Sequence, residues 1–333
     1  MKLPDIKEVR DRIEHNPFIQ RMLHWSQVTS LPGFFSVPIY DVAIFLRNEF
    51  RRDSLLIRAN SMAFSFFLSL FPSIIVLFTL LPYFSQYLLS YLPGGDNFMS
   101  IMQREIKLIM PGNAGDMLFS TIEDITTRPR AGLLSLGFVL AVIFASNGMA
   151  TMMRSFEKAY LDTFRKRNGF QIRQVAIGLT ILLGILLIAS VVLIIVGNLL
   201  IGLLDQYIHL DSFSSVAISL MRYLVILSLF YSVISFIYRY GVATHRKFSF
   251  FSAGTTLATI LSILSSTLFS FYVDNFNTYN KLYGSIGTVI VVMLWIQINA
   301  LILLIGFELN ASIAVNRDLK LALQEEEEVE EEE

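Results

Sequence analysis

Between residues 282 and 307 the chain carries no charged side chain, and Glu308 ends the run. A helix needs about 20 apolar residues to cross the hydrocarbon core of a bilayer, so this stretch is long enough to span one. Lipid then becomes part of the solvent, and the backbone must satisfy its own hydrogen bonds within a helix. The run also contains Gln297 and Asn299, whose amides would be costly if left unpaired against lipid.

The composition extends that constraint to the whole chain. Hydrophobic residues make up 54% and charged residues 16%, against about 25% charged in an average soluble domain. The formal net charge is -1, so no global field draws in nucleic acid. Cysteine is absent, which excludes disulfides, thiolate metal ligands and a cysteine nucleophile. Residues 1–12 are polar and charged, and no cleaved signal peptide is expected from them.

Five further apolar runs have spanning length, at about 59–81, 132–151, 175–204, 214–238 and 248–273. Basic residues cluster on one side of them. Arg47, Arg51, Arg52 and Arg58 precede the first run. Arg154, Lys158, Arg165, Lys166, Arg167 and Arg173 follow the second, and Arg239, Arg246 and Lys247 follow the fourth. Residues 205–211 carry no Lys or Arg, and the loop after the fifth run has only Lys281. Basic loops stay cytoplasmic, which places both termini inside. The expected fold is therefore all-α and polytopic, with six transmembrane helices. Residues 1–58 form a cytoplasmic segment, 59–311 the transmembrane domain, and 312–333 a disordered acidic tail, because residues 325–333 are a block of glutamates broken only by Val329.

The outer loop, residues 82–130, is too long for a turn. Ile101, Met102, Ile106 and Ile109 share one helical face; Leu118, Ile122 and Ile125 make a second stripe after Asp116, with Pro111-Gly112 between. This pattern predicts two amphipathic helices at the outer surface. On the inner side, Val42, Phe45, Leu46 and Phe50 form a stripe suited to a helix lying in the interface plane. Ordinary packing against the bundle accounts for all three stripes equally well.

Several polar residues fall inside the spans. Ser61, Ser65, Ser69 and Ser73 recur every fourth residue beside Pro72, which should kink its helix. Gly254, Ala258, Ser262, Ser266 and Ser270 recur likewise. Such ridges let helices approach closely, or they line a polar groove. Gln297 and Asn299 point to nearly opposite sides of one helix, so neighbours should surround that span. Gln297 and Glu308 share a face. Glu308 is either a functional carboxylate or one seated at the inner headgroups against Arg239, Arg246 or Lys247. Arg222 either snorkels to the surface or binds a lipid phosphate. Asn147 and Asn198 suit interhelical hydrogen bonds. Arg222, Asn147, Asn198, Gln297, Asn299, Glu308, Ser65, Ser69, Ser262 and Ser266 are thus the candidates for a polar path or lipid site.

No catalytic or metal-ligating constellation emerges. His15, His24, His209 and His245 lack ligand spacing, and no H-E-x-x-H, G-x-S-x-G or phosphate-binding glycine loop occurs. No cofactor is expected.

Longer strings carry a resemblance. They are Ala59-Asn60-Ser61-Met62-Ala63-Phe64 with Ser69-Leu70-Phe71-Pro72; Asn147-Gly148-Met149-Ala150 leading to Phe156-Glu157-Lys158-Ala159-Tyr160; and Tyr279-Asn280-Lys281-Leu282-Tyr283-Gly284-Ser285-Ile286-Gly287. The last is Gly306-Phe307-Glu308-Leu309-Asn310-Ala311. Over residues 35–315 the chain resembles the YihY/BrkB family of bacterial inner-membrane proteins. Pro72, Asn280, Tyr283, Gly284, Gly287, Glu308 and Asn310 carry the motif. The resemblance implies six spans with both ends inside. It also implies links to serum resistance, envelope integrity and lipid movement, and it brings an old label of tRNA-processing ribonuclease that is widely thought mistaken. Gln297 stands where the family more often has an aromatic residue, and the glutamate tail is not a general family feature. The resulting expectation is a non-enzymatic inner-membrane protein that supports the envelope by binding or moving lipid. Membrane lipids are its expected partners, nucleic acid is not, and a homo-oligomer is compatible with the spans. A ribonuclease would need an acid–base pair or metal site and a basic RNA surface, for which only the loop 154–173 is a candidate. A purely structural membrane protein is the third alternative.

Overall fold

A computed structural model describes residues 17–30, 33–34, 37–52, 54–87, 103, 120, 123, 131–208, 212–275 and 277–332. Among them the chain is helical and forms no strand; one isolated antiparallel bridge joins Phe164 and Thr244. The helices are α1 (Pro17–Val28), α2 (Ile39–Arg52), α3 (Leu55–Tyr87), α4 (Ala131–Ser155), α5 (Gly169–Ile208), α6 (Ser212–Phe236), α7 (Ala253–Asn275) and α8 (Asn277–Glu332), with a π-helical turn at Ile237–Gly241. The outer-loop stripes at Ile101, Met102, Ile106, Ile109, Leu118, Ile122 and Ile125 lie outside the described residues.

Among the described residues, five helices hold segments long and apolar enough to cross a membrane: Leu55–Ser73, Ser135–Ser155, Gly169–Ser190, Ala253–Phe271 and Val289–Glu325. The remaining expected run, 214–238, falls on α6 and the π turn. Large apolar side chains stay exposed along these helices, among them Phe64 and Phe71 on α3, Phe138 on α4, Ile185 on α5 and Leu268 on α7. In water such faces would be a liability, whereas in a bilayer they meet lipid chains as apolar as themselves.

The chain divides into two compact units. One comprises Met1–Ser61, Met153–Asn168 and Ile234–Glu333; the other comprises Met62–Met152 and Gly169–Val233.

In the first unit, α7 and α8 meet through glycine. A Cβ built on Gly254 would overlap the carbonyl oxygen of Gly306, and one built on Gly306 would lie 2.6 Å from the carbonyl oxygen of Gly254. Ala258 and Ser262 continue the buried ridge, while Ser266 is half-buried and Ser270 exposed. The small residues at every fourth position therefore serve close backbone approach over the first turns of α7.

The α2 stripe packs on protein. Val42 forms a buried cluster with Phe34, Val37 and Ile313, against which Ile39, Leu46, Ala253 and Leu309 pack. Phe45 lies against Tyr160, with ring centroids 5.4 Å apart, and Phe50 lies outside the described side chains. Leu309 and Ile313, four residues apart on α8, offer the apolar face that the stripe covers. The helix expected to lie in the interface plane is thereby occupied by its neighbour.

A second correction concerns the tail. α8 does not end near residue 311: Ala311, Ser312, Ile313 and Ala314 are buried in the first unit, and the helix runs on to Glu332. Glutamate is a good helix former, and extending an existing helix needs no new nucleus. Like-charge repulsion costs only a few tenths of a kcal/mol per pair, which is too little to stop propagation.

Two loops of this unit are pinned together. Arg165 N–H donates to the Ala243 carbonyl at 3.0 Å, and His245 N–H to the Thr163 carbonyl at 3.0 Å. Thr163 Oγ1 donates to Asp318 Oδ2 at 2.9 Å. The Arg167 guanidinium caps the π turn, donating to the carbonyls of Gly241 (2.7 Å), Tyr240 (3.0 Å) and Val242 (3.3 Å). Burial, and secondarily the charge of Arg165, pull its pKa below the usual arginine value.

In the second unit, Gly148 faces Phe66, and Ser65 Oγ donates to Thr151 Oγ1 at 3.2 Å. α3 continues through a buried Pro72 to Tyr87. Ser69 and Ser73 bond their own helix, to the carbonyls of Phe66 (2.6 Å) and Ser69 (2.8 Å).

Candidate functional site

Glu308 sits in the middle of α8 with no solvent exposure. A carboxylate in such a place must find compensating charge. Arg58, in the first turn of α3, donates from Nη1 to Glu308 Oε1 at 3.1 Å. The Lys158 ammonium, in the loop after α4, lies 2.9 Å from Glu308 Oε2 and 2.6 Å from Glu49 Oε2. The contact to Glu308 Oε2 is an ion pair without hydrogen-bond alignment, for that oxygen accepts no hydrogen bond among the described residues. Glu49, near the end of α2, also accepts from the Tyr160 hydroxyl at 2.9 Å.

The four formal charges cancel. Side-chain exposure is 0% for Glu308, 3% for Lys158, 9% for Glu49 and 18% for Arg58, so the cluster is closed to solvent except at the guanidinium. Arg58 Nη2 also donates to the Ser155 carbonyl, the last residue of α4. A cation there meets the negative end of the helix dipole. The cluster thus ties the end of α2, the start of α3, the exit of α4 and the middle of α8, all within the first unit.

Aromatic rings wall it in. Phe307 stacks on Phe156 at 4.6 Å, and Phe156 meets Tyr238 edge-on at 5.9 Å. The Tyr238 hydroxyl donates to the Leu303 carbonyl at 2.7 Å. Gly306 is required beside it, since a Cβ there would lie 2.5 Å from that hydroxyl.

Glu308 therefore does not pair with the basic residues expected for it. Arg239 donates instead to the Phe248 carbonyl at 2.9 Å, Lys247 lies 5.0 Å over the Tyr240 ring, and Arg246 is exposed. The partners come from residues counted only as loop charges. The signal that could have found them was local: Arg58 abuts the first apolar run, and Lys158 and Tyr160 sit inside a motif string.

The other candidates are placed as follows. In the first unit, Gln297 Nε2 donates to Asn60 Oδ1 at 2.7 Å, joining α8 to α3, whereas Asn299 bonds its own helix at the Trp295 carbonyl (2.9 Å). In the second unit, Asn147 Oδ1 accepts from Arg173. The side chains of Asn198, Arg222, Asn280 and Tyr283 lie outside the described residues, and Gly284 and Gly287 are helical.

Asn310 has a structural part that its motif string did not reveal. Ser252 caps α7, its Oγ accepting from Thr255 N–H at 3.2 Å. Asn310 completes that cap from α8, accepting from Gly254 N–H at 2.8 Å and donating to Ser252 Oγ at 2.9 Å. Asn310→Ala is expected to cost about 1–2 kcal/mol, the upper part of the range for lost caps. Thermal unfolding of the purified protein in detergent measures it.

Chemically the site is self-compensated. Among the described residues no group of three His, Cys, Asp or Glu side chains could hold a metal ion.

A family model for virulence factor BrkB matches residues 46–331, which includes every member of the cluster. The chain is 31% identical over 285 residues to a putative ribonuclease-like protein, YfkH, of Bacillus subtilis, an alignment covering 83% of this chain and 97% of that protein. It is 25% identical over 280 residues to a UPF0761 membrane protein of Aeromonas salmonicida, covering 81% and 88%. A UPF0761 membrane protein of Prosthecochloris aestuarii is 26% identical over 290 residues, covering 83% of this chain and 63% of that protein. No solved structure matches. The family match over the length of the cluster, the apolar helices and relatives named as membrane proteins agree: the chain belongs to the virulence factor BrkB family of membrane proteins.

Proposed function

We propose that this is a non-catalytic protein of the bacterial inner membrane that supports the envelope by binding or moving lipid or another amphiphile. In this reading it has six spans, α6 being the sixth, with both termini in the cytoplasm as the basic loops require. The observation that carries the proposal is the closure of the ionic cluster. Its charges neutralise one another and bind four segments together, so they build a scaffold rather than present a reactive group. The wide apolar faces that scaffold holds are the surfaces offered to lipid.

The test is purified protein in liposomes carrying fluorescent lipids. Leaflet exchange should exceed that of protein-free liposomes. Exchange equal to empty liposomes for anionic and neutral lipids alike, with no lipid copurifying, would reject transport and leave the non-transporting structural reading.

A ribonuclease reading draws on the name of the Bacillus subtilis relative and on the exposed Arg154, Arg165 and Lys166. It requires RNA cleavage by highly purified protein with divalent metal. That cleavage must disappear when the exposed Arg154, Arg165 and Lys166 are replaced, with the scaffold residues Lys158 and Arg167 kept; persistence would identify a contaminant.

A further inference from the structure

The amide pair that joins α3 to α8 leaves hydrogen-bonding groups inside the bilayer. Gln297 lies fifteen residues after Leu282 and ten before Phe307, the two ends of the uncharged run. At about 1.5 Å per residue the run is about 38 Å long, against a hydrocarbon core of about 30 Å. Wherever the core falls within the run, Gln297 is at least about 7 Å inside it. Gln297 is half-buried, and Asn60, which accepts its Nε2–H at 2.7 Å, is exposed. That bond is the only one either side chain makes among the described residues. Each amide has two N–H donors and one carbonyl acceptor. Both Asn60 Nδ2 donors, the second Gln297 N–H and Gln297 Oε1 therefore still need partners, and lipid chains supply none.

The residues flanking the pair decide what meets it. Leu56 and Ile57 are exposed four and three residues before Asn60, and Met293 and Leu294 four and three before Gln297. Residues at these spacings share a helix face. Asn60 meets Gln297 and Arg58 meets Glu308, so α3 and α8 run antiparallel. Leu56 and Ile57 thus flank the pair toward Glu308, and Met293 and Leu294 flank it toward the other end of the run. A headgroup or a file of water following these faces would have to cross apolar side chains from either direction. A protein surface that brings its own amide into the membrane needs no such route. The pair is its own complement, since it offers donors and an acceptor at one spot. Two copies facing each other about a two-fold axis exchange the bond from Asn60 Nδ2–H to Gln297 Oε1 twice. Every copy inserts with the same orientation, so an axis along the membrane normal brings the two pairs together at equal depth.

We infer that Asn60 and Gln297 form the polar centre of a homodimer interface within the membrane, flanked by Leu56, Ile57, Met293 and Leu294. The inference stands apart from lipid transport, because it requires only that α3 and α8 lie in the bilayer.

The chain has no cysteine, so one introduced thiol reports what lies beside it. Met293→Cys and Leu294→Cys are made singly in the full chain, with Ile185→Cys on α5 and Leu268→Cys on α7 as exposed controls. Oxidation in the native membrane should give a disulfide-linked dimer for at least one of the two α8 variants and for neither control. Photobleaching of fluorescently tagged protein diluted in liposomes should count two copies per particle. Gln297→Leu should weaken that dimerisation roughly ten-fold, the scale of two amide hydrogen bonds lost in a membrane interior. The cysteine variants leave the amide pair untouched, so they decide the matter even where Gln297→Leu fails to fold. Single copies by photobleaching would overturn the proposal, as would controls that cross-link as readily as the α8 thiols or a folded Gln297→Leu that dimerises unchanged. A monomer that retains a bound lipid would overturn it too, and would assign the amides to a headgroup.

Discussion

Lys158→Met is expected to destabilise the protein by about 3–5 kcal/mol, the usual cost of breaking a buried ion pair from one side. The ammonium lies 2.6 Å from one carboxylate and 2.9 Å from another. Without it, Glu49 and Glu308 remain as two buried anions with Arg58 as their only remaining cation in the cluster. The loss should appear as a markedly lower midpoint of thermal unfolding in detergent, or as failure to accumulate folded protein. Glu49→Gln should be milder: Glu49 is the more exposed of the two carboxylates, and the Tyr160 hydroxyl can still bond the amide that replaces it.

The second large effect concerns the glycine contact between α7 and α8. Gly254→Ala should cost about 1–3 kcal/mol or more, as expected when volume is forced into a packed contact. The new methyl would meet the Gly306 carbonyl oxygen and the Asn310 side chain, which is backbone and a cap that cannot both move aside. Gly178 and Gly184 on α5 are the internal control. Nothing lies within 4 Å of a Cβ at either position, and alanine has the higher helix propensity, so neither substitution should lower the midpoint. If Gly254→Ala unfolds at the same temperature as the unmodified chain, the two helices do not meet backbone to backbone.

What could be read from the sequence was what is local. A span shows itself by length and lack of charge, so each apolar run overlaps a long helix, although the last helix runs well past its run. The ridge at Gly254 and Ala258 was visible from its spacing. The α2 stripe was visible too, but periodicity shows only that a face is apolar, not whether lipid or another helix covers it. Glu308 stands out in the sequence because a carboxylate at the end of an uncharged run is conspicuous. The pairing with Arg58, 250 residues away in the chain, and with Lys158 is not encoded by spacing; position beside an apolar run and within a motif string marks those residues without saying what they meet. Asn310 was found as part of a string, whereas its capping of α7 depends on a crossing that no spacing encodes. The acidic tail is helical to Glu332 because the helix already formed before it and the helix propensity of glutamate outweigh repulsion between neighbours, a balance that a run of like charges does not display.

A double-mutant cycle on Lys158 and Glu308 tests the closed ionic scaffold most directly. Unfolding in detergent would be compared for Lys158→Met, Glu308→Gln, the pair together and the unmodified chain. The pair leaves Glu49 and Arg58, one charge of each sign, so it should recover part of the single-variant loss, with a coupling energy of about 1–3 kcal/mol. Strictly additive losses would contradict the account, for they would mean that Lys158 and Glu308 do not hold each other in the folded protein.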